Sequence, residues 1–162
     1  MMEFSVQVEN LATLREALES GCDRVRFGSE FCEYKMPSLK TLEEADALTS
    51  DSEKGFVYVT PRVSDCGLER IREHLDFLND VGRVSVVVND LGVLNIMEQY
   101  DNFRPHLGRQ LIYKPARWPW GEITEHDVGF LTRRRVEKIF YQTSLNYLPA
   151  VDFFKGCGVR GV

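Results

Sequence analysis

Residues 83–100 read RVSVVVNDLGVLNIMEQY, a Val-rich run that passes through Asn89 and Asp90 into a segment carrying Leu91, Leu94 and Met97. A short, nearly continuous apolar run is the pattern of a strand buried on both faces, as in a parallel sheet. Asp90 stands where its carboxylate can accept from the first free N–H groups of a helix, so it is predicted as an N-cap. The stretch is therefore one strand feeding one helix, and the fold depends on whether that unit recurs.

It recurs along the whole chain. FSVQV (4–8) alternates as a strand, Asn10 caps a helix with Leu11, Leu14 and Leu18 on one face, and Gly21 closes it. DRVRFG (23–28) is a second strand, followed by the loop SEFCEYKMPS. Thr41 with Glu44 fits a capping box for a helix that decays through TSDSEKG (49–55). GFVYVTPRV (55–63) is the third strand. Asp65 is expected to cap the next helix, with Leu68, Ile71, Leu75 and Leu78 at spacings of three and four and Gly82 as its stop.

Beyond the opening stretch, HLGRQLIY (106–113) is a weaker fifth strand, and Thr124 with Asp127 offers a cap for a helix to about Arg135. EKIFYQT (137–143) is a sixth strand. Ser144 opens a last helix with Leu145, Leu148 and Val151, where Pro149 predicts a kink or a short element, and GCGVRGV starts a seventh strand.

Strands alternating with helices imply right-handed βαβ units and a parallel α/β sheet. The chain has neither G-x-G-x-x-G after its first strand nor G-x-x-x-x-G-K-[ST] anywhere, so nucleotide-binding doubly wound folds lose their best support. An eight-stranded β/α barrel needs about 250 residues. The expectation is thus an incomplete TIM-type parallel (β/α) barrel of about six to seven strands, a single domain over 1–162, either truncated at its C-terminus or a natural short form.

A net charge of −5 argues against nucleic acid and anionic membrane as partners, because both draw on a basic excess. The run RRR (133–135) reads as a solvated helix face. No basic leader precedes a long apolar stretch and no run approaches a spanning helix, so a cytoplasmic protein is expected. Cys22, Cys32, Cys66 and Cys157 form no C-x-x-C pair, which leaves neither a disulfide framework nor a local zinc site signalled.

In parallel architectures, ligands bind where the carboxyl ends of strands meet the following loops. Those ends carry Glu9 and Asn10; Ser29, Glu30 and Cys32; Thr60 and Arg62; Asn89 and Asp90; Arg109 and Gln110; and Gln142 and Thr143. Glu30 and Asp90 are the candidate acid or base groups, Arg62 and Arg109 can hold an anionic group bidentately, and Asn89 and Gln110 can bind substrate. His74, His106 and His126 lack metal-ligand spacing and read as surface or packing residues. No G-x-S-x-G elbow supports a serine nucleophile.

DLGVL (90–94) after a Val-rich strand, GCDRVRFG (21–28), VYVTPRV (57–63), LGRQLIYKPAR (107–117) and YQTSLNYLPAVDFFKGCGVRGV (141–162) together resemble the N-terminal half of peptidase family U32, the collagenase-like proteins. The resemblance implies a barrel-like catalytic domain, commonly longer than this chain, and a hydrolase label that these residues do not explain. The family's C-terminal paired cysteines and histidine-glycine element are absent. FGSEFCEYK (27–35) is similar to the segment bearing the first cysteine ligand in the subgroup that assists oxygen-independent ubiquinone hydroxylation, which binds a 4Fe-4S cluster through four cysteines. On that likeness Cys32 alone carries over as a metal ligand. A cluster is implied for a full-length form and none for this chain alone, because one thiolate cannot hold four irons. KPARWPWG (114–121) departs from the family in Trp118 and Trp120, read as a rim lid or a partner contact.

Three readings follow: a family barrel binding a small molecule or peptide, an iron-sulfur accessory protein, and a non-catalytic half-barrel completed by a homo- or hetero-oligomer.

Overall fold

The computed structural model describes residues 3–82, 84–112, 134 and 142–161. Met1–Leu111 with Cys157–Val162 form one compact unit and Ile112–Gly156 a second. The first unit carries β1 (Ser5–Val8), α1 (Leu11–Glu19), β2 (Arg24–Gly28), α2 (Leu39–Asp51), β3 (Gly55–Val59), α3 (Asp65–Val81), β4 (Ser85–Val88), α4 (Leu91–Met97) and β5 (Arg104–Leu107). In the second, a 3-10 turn (Ser144–Asn146) leads to α5 (Leu148–Gly156).

The five strands pair in chain order, β1-β2-β3-β4-β5, every neighbour parallel. Right-handed crossovers that always advance in one direction put α1 to α4 on the same face of the sheet. The helices accordingly touch in sequence, α1 on α2, α2 on α3 and α3 on α4. A doubly wound sheet would reverse its strand order at a switch point; this one does not. The order is that of a partial barrel, with one face under helices and one turned inward.

Strand alternation divides the residues between those faces. Val25, Phe27, Tyr58 and Val86 are fully buried toward the helix layer, against a core that includes Leu14, Leu42, Ile71, Leu75 and Leu78. Within it the Tyr58 hydroxyl lies 2.6 Å from His74 Nδ1. His74 is 2% exposed, a packing residue as its helical position suggested. On the inward face, Val57, Val59 and Val87 form a small buried cluster.

The boundaries differ from the sequence reading in instructive ways. β3 stops at Val59 instead of Val63, since Pro61 has no N–H to donate and Thr60 already bonds Val87 O. Ser38, not the Thr41/Glu44 box, caps α2, and Glu44 pairs with Arg15 at 2.8 Å. Ser64 replaces Asp65 as the cap of α3, and Asp65 sits in its first turn. β5 lies upstream of the expected 106–113, ending where Gly108 turns the chain. Thr143 rather than Ser144 caps the 3-10 turn. Pro149 falls in the first turn of α5, where a missing N–H costs no helical bond.

Among the described residues the strands number five, where six to seven were expected. The start of the expected seventh contributes an isolated parallel bridge from Gly161 to His106. The Thr124/Asp127 cap, His126, the tryptophan loop and most of the sixth strand lie outside the described residues. So do two of the three arginines of 133–135; Arg134 is helical and exposed.

Burial drives the His74 pKa down to about 4, with the nearby Arg70 charge adding to the effect. The unfolded chain, with a histidine near 6.5, binds the extra proton first, so stability is full above pH 6.5 and falls as the pH drops toward 4. Between pH 7 and pH 5 this group removes about 2 kcal/mol. His106, also shifted down, acts in the same direction. Urea denaturation at pH 7, 6 and 5 should show the decline, and Tyr58→Phe combined with His74→Leu should flatten it measurably.

Candidate functional site

Glycines shape the loops that carry the strand-end residues. Gly28 ends β2 with φ +129, and a Cβ there would stand 2.2 Å from Val59 O. Only glycine accepts that turn, which delivers Ser29 and Glu30 over the strand ends; Gln7 Nε2 donates to Gly28 O at 2.8 Å. Gly108 follows β5, and a Cβ on it would lie 2.0 Å from Asn89 Oδ1. Its lack of a side chain leaves the space that the Asn89 amide occupies.

A chain of polar contacts then links the loops after four strands. Thr60 Oγ1 donates to Val87 O at 3.2 Å, and Asn89 Nδ2 donates to Thr60 O at 2.8 Å. Asn89 Oδ1 accepts from the Gln110 backbone N–H at 3.1 Å, and Gln110 Nε2 donates to Glu30 O at 2.6 Å. The Glu30 carboxylate takes a two-pronged contact from Arg109, Nε to Oε1 at 2.9 Å and Nη2 to Oε2 at 2.5 Å. Thr60 and Asn89 are fully buried, and each finds partners, as buried polar groups must.

The pair at the end of this chain is asymmetric. The Glu30 side chain is 11% exposed and that of Arg109 is 72% exposed. The Arg109 guanidinium also lies 4.9 Å over the Phe31 ring. Hydrogen bonding from Arg109 holds the Glu30 carboxyl below its ordinary pKa although burial pushes the other way, and Glu30 raises Arg109 in return. The result is a cation steadied on a buried carboxylate and an aromatic face, its side chain still largely exposed. Such a fork can receive a carboxylate or a carbonyl oxygen.

Of the residues expected from sequence, Glu30, Asn89, Arg109 and Gln110 are brought together. Asp90 caps α4: Oδ1 accepts from Gly92 N at 2.7 Å and from Val93 N at 3.4 Å, and Oδ2 receives Val63 N at 3.5 Å. Arg62 is exposed, with no hydrogen-bond or ion-pair partner among the described residues, and lies outside the network. Cys32 is half-buried in the Glu30 loop, its N–H 3.4 Å from Ser29 Oγ. Phe31, Gly28 and Gly108 were missed as parts of the site. So was Glu33, whose carboxylate accepts from Ser64 N at 2.6 Å and ties this loop to the start of α3. The glycines carried a signal, each ending a strand beside polar residues; Phe31 and Glu33 carried none.

The cysteines do not fit a four-iron cluster. Cys22 is buried against Ala17 O, Cys66 is exposed in the first turn of α3, and Cys157 stands near Glu98, which with burial raises its pKa. Among the described residues no three His, Cys, Asp or Glu side chains converge on one point where a metal would be held. No helix among them is long and apolar enough to cross a membrane.

A family model described as Peptidase family U32 matches residues 9–112, well over half of the chain and a span that contains every member of the Glu30–Gln110 network. No curated protein and no solved structure matches.

Gly108→Ala should cost about 2 kcal/mol or more, because the new methyl displaces the Asn89 amide from its buried bonds. Gly21→Ala, whose Cβ meets nothing within 4 Å, should stay within about 0.5 kcal/mol of the parent. Urea unfolding of the two variants side by side checks the contrast.

Proposed function

We propose that this chain, which belongs to peptidase family U32, binds a carboxylate-bearing small molecule or peptide at the carboxyl ends of its strands. The observation that carries the reading is the exposed Arg109 fork, held in place by the buried Glu30 carboxylate and the exposed Phe31 ring. Arg109 is the recognising cation. Gln110 and Asn89 set its loop against the sheet, and Arg62 is a second, unpaired cation on the β3–α3 loop that can join a longer ligand.

A hydrolase role rests on the family's name, and the two candidate carboxylates bear on it differently. Glu30, kept ionised by Arg109, is a weak base and a poor proton donor, so its role is to hold the cation. Asp90 is occupied by the α4 backbone. The iron-sulfur reading finds no support in the cysteines present, and no step is assigned to a cluster.

A second reading has its own observation. Among the described residues β1 is an outer strand of the sheet, and Phe4 beside it is 58% exposed. An open parallel edge of this kind suits completion of the sheet by further strands, toward the six or seven of a fuller barrel, or by another subunit. Light scattering at micromolar concentration decides the subunit form: a monomer overturns it.

Tripeptides with free and with amidated C-termini test the main proposal by ligand-detected NMR. Free carboxylates should bind, amidated ones should bind about tenfold more weakly, and Arg109→Gln should erase the difference. Equal binding of both forms, or none, overturns the proposal. Mass spectrometry of the same peptides after long incubation tests hydrolysis, and intact masses would remove the hydrolase part alone.

A further inference from the structure

We propose that the inward face of the sheet holds a compact dianion, of the phosphate or dicarboxylate class, in a cavity lined by Ser5, Arg24, Arg26, Ser85 and His106. Its lining residues are not those of the strand-end network.

The cavity measures about 220 Å³ and opens on the sheet face opposite α1 to α4. Strand register composes it. Arg26, Val57, Ser85 and Arg104 stand in one row across β2, β3, β4 and β5, with Ser5 and Arg24 paired beside them. Gly55 makes room, since a Cβ there would sit 2.5 Å from Arg24 Cγ. The volume is below the roughly 300–1,000 Å³ of sites for drug-sized ligands, so the occupant is small.

Charge then selects its chemistry. Glu3 is the one acid in the lining, and it is taken by Arg24, Nε to Oε1 at 3.0 Å. Arg26 makes no ion pair within 4 Å among the described residues, although its charge reaches Glu30, and its Nε is buried without an acceptor. Arg104, in register with Ser85 at the end of the same row, lies outside the cavity lining but adds to the positive field that reaches His106. An apolar occupant would leave the Arg26 N–H stranded, a costly arrangement for a charged donor. A dianion sits in the positive field of Arg26 and the nearby Arg104, accepts from the buried Nε, and can take the hydroxyls of Ser5 and Ser85 as further donors.

His106 reports on the same field. Burial lowers its pKa first, and Arg24, Arg26 and Arg104 lower it further, with Glu3 alone opposing them. A bound dianion offsets that positive field and so raises it. The histidine therefore serves as a built-in probe, and an anion that binds here takes up a proton as it does so.

The test uses the full chain at constant ionic strength set with potassium chloride. Inorganic phosphate and succinate are titrated separately, and the histidine ring signals are followed by NMR, with His106 assigned from a His106→Asn variant. Saturable binding with an upward shift of the His106 titration supports the site, and whichever anion binds more tightly identifies the class. Arg26→Gln should weaken that binding about tenfold. Should Arg26→Gln fail to fold, the parent's His106 titration still decides. An unmoved His106 titration with both anions, or equal binding by parent and Arg26→Gln, overturns the proposal.

Discussion

Parallel pairing in strict chain order is the constraint from which the rest of this structure follows. Each right-handed crossover advances one strand, so α1 to α4 collect on one side and, among the described residues of this unit, the inward face is left to side chains. The helix side can be filled with Leu, Val and Phe from both layers, and it is. The inward side, having no second layer among the described residues, combines a small Val57, Val59 and Val87 cluster with arginines and serines. Polar chemistry therefore appears at two levels of one face: at the strand ends, where loops supply it, and lower down, where the strands do.

The strand-end network shows how little backbone freedom such an arrangement tolerates. Two glycines, one at φ +129 and one with an Asn amide in the place of its side chain, let four loops approach closely enough for Thr60, Asn89, Gln110 and Glu30 to satisfy one another. Arg109 is the terminus of that chain and its only strongly exposed member. Burying Glu30 and leaving Arg109 outside uses a desolvated carboxylate to orient a solvated cation, an arrangement suited to recognition because the guanidinium keeps its charge and loses conformational freedom before a ligand arrives.

Asp90 illustrates how one residue can satisfy two readings with different consequences. A carboxylate at the end of a buried strand in a parallel sheet is both the expected position for chemistry and the expected helix cap. The hydrogen bonds to Gly92, Val93 and Val63 show it as the cap. Family membership does not alter this, since the DLGVL stretch that carries the likeness is the segment whose helix Asp90 caps.

Periodicity by itself determined the alternation of strands and helices, their parallel arrangement, and the strand ends as the place to look, because buried strands and amphipathic helices impose local patterns of period two and 3.6. It also put Glu30, Asn89, Arg109 and Gln110 on one list. Tertiary structure alone decided which members of that list meet: Glu30 and Arg109 are 79 residues apart in the chain and form a two-pronged pair, whereas Arg62 stands apart and Asp90 turns to its own helix. Boundaries such as Ser38 over Thr41 and Ser64 over Asp65 were likewise settled by where packing let the chain turn. Contacts between loops depend on register and on the space a missing Cβ leaves, and neither has a periodic signature in the sequence.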